Sequence, residues 1–483
     1  MLRPALVVAG SGLSATWVAM AALGDLRHGA LPDFALLYFT ATGLYLLALA
    51  AIARAEARGV AHDRGALVAA LALALVGRLA LLPGDPSLSD DAWRYLWEGR
   101  VQLQGANPYA LAPADPALAP LRDGAWLRVN HPQVPAVYGP LTELLFAALA
   151  APGGGLLPFK LAFLAADAGV ALLLWRLLRR RGRPELWVLA WAWHPLTALE
   201  LAGQGHLEVV PVLLLLLAVE LEEAARPRAA ALALGAAVAA KYLPILCLPG
   251  FVLRGVGARA RATRLGLALL TMLLPALPFA GAAGARGPVE YATTWRFNDG
   301  PYWLLELALR QAGAAQAFAR ALGGGWDWAW SQALAKLLVA ALVLALLGRA
   351  ARRGAGPAPT AALAGALFLA LSPTVHPWYA LWVVPFLVPA GMGPAWLHLS
   401  LALPLAYEVL LRFDGSPASW EEQPWVRACQ WLPWAGLLLF ARARSRGNLG
   451  PSRGPGGPAC VAASVESPSC SPWDSPGRRG RAA

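Results

Sequence analysis

Asp90 and Asp91 stand side by side in the string Ser89-Asp90-Asp91-Ala92-Trp93-Arg94-Tyr95-Leu96-Trp97-Glu98-Gly99-Arg100. Adjacent carboxylates can supply a general base, or can hold a divalent cation against a phosphate, and Arg94 comes within a helical turn of them. A structural reading competes with both. Ser89 or Asp90 would make an ordinary N-cap for a helix over residues 92–104, and acids favour helix starts.

The residues downstream tip the balance toward chemistry. Asn107, Tyr109, Asn130, His131 and Tyr138 are spaced by Gly and Pro, and short polar and aromatic groups on a stiffened loop suit a sugar, which is held by hydrogen bonds and aromatic faces. Trp93 and Trp97 are equally explained by the aromatic belt of a membrane interface; Asn130 and His131 are not. Further groups are expected to reach the same side: His206 and Glu208 at a turn, Lys241 between two short helices, Trp295, Arg296, Asn298 and Asp299 in a later loop, and His376, Trp378 and Tyr379 at a helix end. Lys241, Arg94 and protonated His376 are the cations expected to meet a lipid phosphate.

The elements that must carry these residues are membrane helices. The chain has 483 residues, 58% of them hydrophobic and 14% charged, with a mean hydropathy of +0.52. That is too apolar for a soluble core of this size. A spanning helix needs about 20 apolar residues. Such runs occur at 5–23, 34–53, 66–82 and 156–178, then at 186–201, 207–219, 265–281, 333–347, 361–371, 379–388, 396–411 and 431–441. The first reads as a helix rather than a signal peptide, because Trp17 and Met20 lie where a cleavage site wants small residues.

The net charge of +12 does not point to nucleic acid, since no basic stretch interleaved with aromatics lies in a polar domain. Arginines instead collect at 54–64, 179–183, 254–264, 349–353 and 442–446, which the positive-inside rule places in the cytoplasm. Counting crossings then puts residues 84–140, 282–330 and His376 outside. Parity makes 141–151 a re-entrant or half helix and splits 229–253 into two short helices meeting near Lys241. The expected architecture is an all-α polytopic bundle of roughly twelve to fourteen membrane helices, with a membrane domain over 1–441 and a disordered cytoplasmic tail over 442–483. The tail is rich in Gly, Pro, Ser and Arg. Cys247, Cys429, Cys460 and Cys470 have neither metal-ligand nor disulfide-framework spacing.

With these motifs in place, the chain resembles bacterial membrane glycosyltransferases of the GT-C fold. It is most similar to family eighty-seven enzymes and to polyprenyl-phosphomannose-dependent mannosyltransferases. The resemblance runs over about residues 66–410. It is carried by the Ser89–Arg100 string, Gly105-x-Asn107-Pro108-Tyr109, Asn130-His131-Pro132, Tyr138-x-Pro140, Trp295-Arg296-Phe297-Asn298 and His376-Pro377-Trp378-Tyr379. One departure is Glu98, where the family carries an aspartate; the charge is kept and the reach lengthened. The resemblance implies a polyprenyl-phosphate sugar donor, expected to carry mannose, and a glycan or glycolipid acceptor at the outer face of the bacterial cytoplasmic membrane. Asp90 or Asp91 would be the base of an inverting transfer, and Arg94, Lys241 or His376 would face the leaving phosphate. Arg100, Asn107, Tyr109, Asn130, His131, Tyr138, His206, Glu208, Trp295, Asn298, Trp378 and Tyr379 would hold substrate. A divalent cation such as Mg or Mn, held by Asp90 and Asp91, is compatible with this chemistry but not required by the spacing.

Two other classes fit the composition. A polyprenyl-lipid or polysaccharide transporter would need charged or broken helices near the bilayer midplane and an inverted repeat, neither of which is evident in the sequence. A non-catalytic envelope scaffold would use Asp90 and Asp91 as caps only. Binding of donor, read as a rise in melting point, separates an enzyme from a scaffold.

Overall fold

In the computed structural model, residues 2–60, 64–281, 286–323, 328–416 and 419–447 are described. Helix takes up 74% of the described residues. Among the described residues the sole β pairing is an isolated bridge between Phe297 and Thr374, so the fold is all-α.

Among the described residues seven helices are long and apolar enough to cross a membrane: Leu2–Ala22, Leu31–Ala57, Arg64–Leu81, Leu157–Arg180, Ala258–Phe279, Trp330–Arg352 and Pro394–Leu411. Four shorter apolar helices join them, Pro140–Ala150, Pro227–Ala240, Leu243–Val252 and Pro357–Leu371. The chain is a polytopic membrane bundle. A short apolar helix, Pro140–Ala150, covers the stretch expected at 141–151, and two short helices lie on either side of Lys241.

Helices α1 (Leu2–Ala22), α2 (Leu31–Ala57) and α3 (Arg64–Leu81) pack together, α1 burying Leu6, Leu13, Trp17 and Met20. The polar loop after α3 carries an amphipathic helix, α4 (Asp91–Leu103), which lies on α5 (Pro140–Ala150). Gly99 makes that approach possible, because a Cβ there would stand 2.3 Å from the Phe146 carbonyl oxygen. Gly99→Val therefore has to push two helix backbones apart. Its expected result is a clear loss of melting temperature, with Gly99→Ala intermediate; a wild-type melting point for the valine variant would refute this packing. Trp97 is 1% exposed and packs with Val101, Leu118 and Val129 in a small core under the loop. It is a core residue, not part of an aromatic belt.

Two of the apolar runs break into short turns and form no continuous helix. Residues 186–201 break into Glu185–Val188, Leu189–Ala192, Pro195–Thr197 and the π-helical turn Ala198–Gly203. Pro195 forces His194 into an extended conformation, φ −60° and ψ 123°. Residues 379–388 likewise form short 3-10 turns, Pro377–Trp382 and Val384–Phe386, because Pro377 and Pro385 interrupt the ladder. His376 consequently starts a turn instead of ending a helix, the preceding helix having stopped at Leu371.

A buried ion pair stitches the first break. Arg78 of α3 pairs with Asp167 of α6 (Leu157–Arg180) and donates to the Ala192 carbonyl at 2.7 Å and to Thr197 Oγ1 at 3.0 Å. Asp167 also accepts from Trp191 Nε1 at 2.7 Å. Backbone groups freed inside a bilayer need partners of this kind. Broken and charged helices, not evident in the sequence, are thus both present.

Four of the arginine-rich stretches, at 54–64, 179–183, 254–264 and 349–353, lie together at one end of the bundle. Arg183 pairs with Glu56, Arg181 with Glu223, Arg264 and Arg254 with Glu222, and Arg254 reaches the Ala355 carbonyl. Lys160, near the start of α6, instead donates to the Gly84 carbonyl at 2.6 Å. The 24 residues of α6 hold these two ends about 36 Å apart at ~1.5 Å per residue. The last helix, Pro424–Gly447, runs past the boundary expected at 441; the tail from 448 lies outside the described residues.

Candidate active site

The start of the polar loop is pinned by three contacts. Gln204 Oε1 accepts from the backbone N–H groups of Ser87 and Leu88 at 2.9 and 2.8 Å, and Ser87 Oγ accepts from Leu26 N–H at 3.1 Å. This sets the first turn of α4. Asp90 occupies the N-cap position but its side chain makes no capping bond; Ser89 Oγ accepts weakly from Asp91 N–H, at 3.3 Å. The two carboxylates are therefore not used as caps.

Asp91 turns toward a cluster built by distant parts of the chain. Its Oδ1 accepts from Asn130 Nδ2 at 2.8 Å, and its Oδ2 lies 4.0 Å from His206 Nδ1. His206 Nε2 is 3.3 Å from Glu200 Oε2, and His206 Nδ1 is 3.9 Å from Glu208 Oε2. Glu208 Oε1 pairs with Lys241, whose ammonium stands 5.3 Å from the centre of the Tyr379 ring. Tyr379 shares a hydroxyl contact with Tyr291. His131 and Trp295, ring centres 4.6 Å apart, stand nearby.

Burial pushes the Asp91 carboxyl above the usual aspartate range, against the opposing pull of the Asn130 hydrogen bond and the charges of Lys241, Arg94 and His131. Burial also raises Asp90, whose neighbours are different: Arg27, Asp91, Arg128 and Asp25. His131 is lowered, first by burial and then by the Arg94 charge.

Asp91, Asn130, His131, His206, Glu208, Lys241, Trp295 and Tyr379 thus come together. Other expected residues do different work. Arg94 is 3% exposed, and all five of its N–H groups are spent: one on Glu98 Oε1 and four on the carbonyls of Asn130, His131, Val134 and Pro135. It has no donor left for a phosphate; it holds the strand of loop that aims Asn130 at Asp91. Arg100 is half exposed and pairs with Asp123 on the loop surface.

Asn107 closes a turn by accepting from Tyr109 N–H, while the Tyr109 hydroxyl donates to the Tyr138 carbonyl at 2.7 Å. Tyr138 itself packs its ring against Tyr95 and Phe146. Trp378 has a face against each of two imidazoles, His206 at 3.8 Å and His376 at 4.4 Å, so neither face is open to a sugar, and His376 is a stacking partner there. Asn298, at φ +53°, donates to the Val375 carbonyl and takes Glu422 on its N–H. It lines a shallow recess with Phe297, Glu422 and Arg427, beside a separate ion network of Arg296, Asp299 and Arg427.

Among the described residues no group of three or more His, Cys, Asp or Glu side chains is placed to hold a metal ion. Asp90 and Asp91 face different neighbours.

Glu200, Tyr291 and Tyr407 were not expected at the site, nor Lys160, Arg78 and Asp167 behind it. A signal was present for four of them: Glu200, Lys160, Arg78 and Asp167 are charges inside apolar runs, and such charges are costly unless paired or functional.

The chemistry open to this cluster is proton abstraction by a raised carboxylate beside a cation, with aromatic and hydrogen-bonding groups around it. No curated protein and no solved structure matches the chain. A family profile described as alpha-(1->6)-mannopyranosyltransferase, N-terminal domain, matches residues 4–257, just over half of the chain and a span that includes Asp91, Asn130, His206, Glu208 and Lys241. The chain therefore belongs to the alpha-(1->6)-mannopyranosyltransferase family and is a multi-pass membrane mannosyltransferase.

Proposed function

We propose that this enzyme, of GT-C type, moves one mannosyl group from a polyprenyl-phosphate mannose to a glycan or glycolipid acceptor at the extracytoplasmic face of the bacterial cytoplasmic membrane, with inversion. The observation that carries the reading is Asp91, raised by burial, one oxygen aimed by Asn130 and the other turned toward Lys241 and His206. A carboxylate raised above its ordinary range is a stronger base than a free one when ionised.

In the step itself the acceptor hydroxyl gives its proton to Asp91. Its oxygen bonds the anomeric carbon from the face opposite the phosphate, and the bond from that carbon to the phosphate oxygen breaks. The polyprenyl phosphate leaves with the electron pair, next to the Lys241 ammonium. The family description suggests an α-(1→6) product; with inversion, the donor phosphate is then β-linked. Sidedness rests on the arginine-rich end of the bundle, which the positive-inside rule assigns to the cytoplasm, and on the length of α6 that separates Lys160 from it. A nucleotide sugar made in the cytoplasm would not reach such a site, whereas a lipid-linked sugar would.

The test offers radiolabelled mannose on a synthetic polyprenyl phosphate and on a nucleoside diphosphate, each with a mannoside acceptor and with or without chelator. Label is expected in product from the lipid donor alone, unaffected by chelator. Product from the nucleotide donor alone would refute the donor assignment. The broken helices also suit a transporter, which would carry labelled lipid across vesicles and form no mannoside product.

A further inference from the structure

Around Asp91, each carboxylate commits one oxygen to the protein and keeps the other. Asp91 gives Oδ1 to Asn130, and Glu208 gives Oε1 to Lys241. Their second oxygens, Asp91 Oδ2 and Glu208 Oε2, lie 4.0 and 3.9 Å from His206 Nδ1, too far to bond it and close enough for one small polar group to bridge. Glu208 Oε2 and both His206 ring nitrogens are buried without a hydrogen-bond partner. Unpaired buried polar atoms are expensive, and where they converge they ask for a ligand.

The imidazole is held on three sides. Trp378 stacks on its face at 3.8 Å and 21°. The His206 backbone N–H donates to the Glu200 carbonyl at 2.9 Å, through a turn that Gly205 closes at φ +70°. The Glu200 carboxyl stands 3.3 Å from Nε2 and is itself gripped by the Tyr407 hydroxyl, at 2.9 and 3.1 Å from its two oxygens. Glu200 is fully buried on the π-helical turn Ala198–Gly203, a geometry that recurs at functional sites.

We propose that Glu208 Oε2 and His206 Nδ1, next to the Asp91 oxygen that serves as base, form a subsite for one secondary hydroxyl of a mannose, and that Glu200 is a positioning residue that aims His206 into it. A hydroxyl donates one hydrogen bond and accepts others, so it can donate to Glu208 Oε2 and accept from His206 Nδ1–H at the same time. A phosphate offers no donor to two carboxylates and is repelled by them, which leaves the carrier phosphate to Lys241. The proposal rests on the mannosyl-transfer reading above and adds where selectivity for the sugar resides.

The experiment compares kcat/KM for normal substrates with that for deoxy analogues, in two arms. One uses mannoside acceptors each lacking a secondary hydroxyl; the other uses polyprenyl-phosphate donors carrying deoxymannoses. Wild type is expected to reject one analogue by about tenfold or more, since a site that bonds a hydroxyl leaves its own groups unpaired when the hydroxyl is gone. The arm in which this happens tells whether the donor or the acceptor fills the subsite. Glu200→Ala should bring that ratio toward one while still transferring mannose, and Glu200→Gln, which keeps a hydrogen-bonding group in place, should restore it. A residue needed only for folding would slow both substrates alike and leave the ratio untouched.

An unchanged ratio in Glu200→Ala, or a wild type indifferent to every deoxy analogue, overturns the proposal. If Glu200→Ala does not fold, Tyr407→Phe, which loosens Glu200, decides in the same way: a lowered ratio supports the subsite and an unchanged one overturns it. Failure of the mannosyl-transfer reading would look different, as an absence of any product with wild type.

Discussion

Asp91→Asn is expected to lower kcat/KM for mannosyl transfer by about 10²–10⁴-fold, the contribution of a positioned general base, or about 3–5 kcal/mol of transition-state stabilisation. Asparagine keeps the size of the side chain and a carbonyl oxygen for Asn130, so the protein should still fold. Asp90→Asn should cost far less, because Asp90 sits among Arg27, Arg128 and Asp25 and not in the His206–Glu208–Lys241 cluster. Equal losses in the two variants would mean that neither is the base.

The pH profile gives an independent reading. A base works ionised, so kcat/KM falls as pH drops through its pKa. Burial holds Asp91 above its ordinary value, so the acid limb should lie above the ~3.9 of a free aspartate. Lys241 and Asn130 both pull Asp91 down. Lys241→Met and Asn130→Ala should therefore each move the acid limb to still higher pH, whatever they do to the maximal rate. A limb that stays put in both variants would assign it to another group.

The largest expected effect on stability is at the Arg78–Asp167 pair. Both residues are nearly fully buried, at 5% and 3% exposure, and between them they satisfy the Ala192 carbonyl, Thr197 and the Trp191 indole across a broken helix. Asp167→Ala leaves the guanidinium buried without its counter-charge, which costs about 3–5 kcal/mol in comparable pairs. The expected outcome is a steep fall in melting temperature and in the yield of folded protein from detergent. Replacing the pair together, Arg78→Met with Asp167→Leu, should recover part of the loss, because no lone charge remains, while the Ala192 carbonyl and Trp191 stay unsatisfied. A single variant that melts like wild type would show that the pair does not hold the break.

Hydropathy and arginine placement were enough to read a polytopic all-α membrane protein, because the bilayer admits few solutions: a run of about 20 apolar residues in lipid has to be a helix. Local rules also reached the short helix at Pro140–Ala150 and the two short helices flanking Lys241. The chemical types at Asp91, Asn130, His131, His206, Glu208 and Lys241 were legible in the same way, as polar groups out of place in an apolar chain. What each of them does was not. Arg94 and Lys241 are both cations near the loop, yet the first spends every donor on four loop carbonyls and Glu98, and the second faces the cluster.

Trp378 reads as a sugar platform until its two faces are found covered by His206 and His376, residues far apart in sequence from one another. Asp90 and Asp91 are indistinguishable by adjacency and separate only because one points at Arg27 and Arg128 and the other at Asn130. Composition and spacing thus determine which elements form and which residues carry reactive groups, since those depend on solvent and local geometry. Which donors remain unspent, which faces stay open and which carboxylate meets the cation are decided by contacts between segments more than a hundred residues apart, such as Glu200 with Tyr407 and Asp91 with His206, and only the tertiary structure sets those.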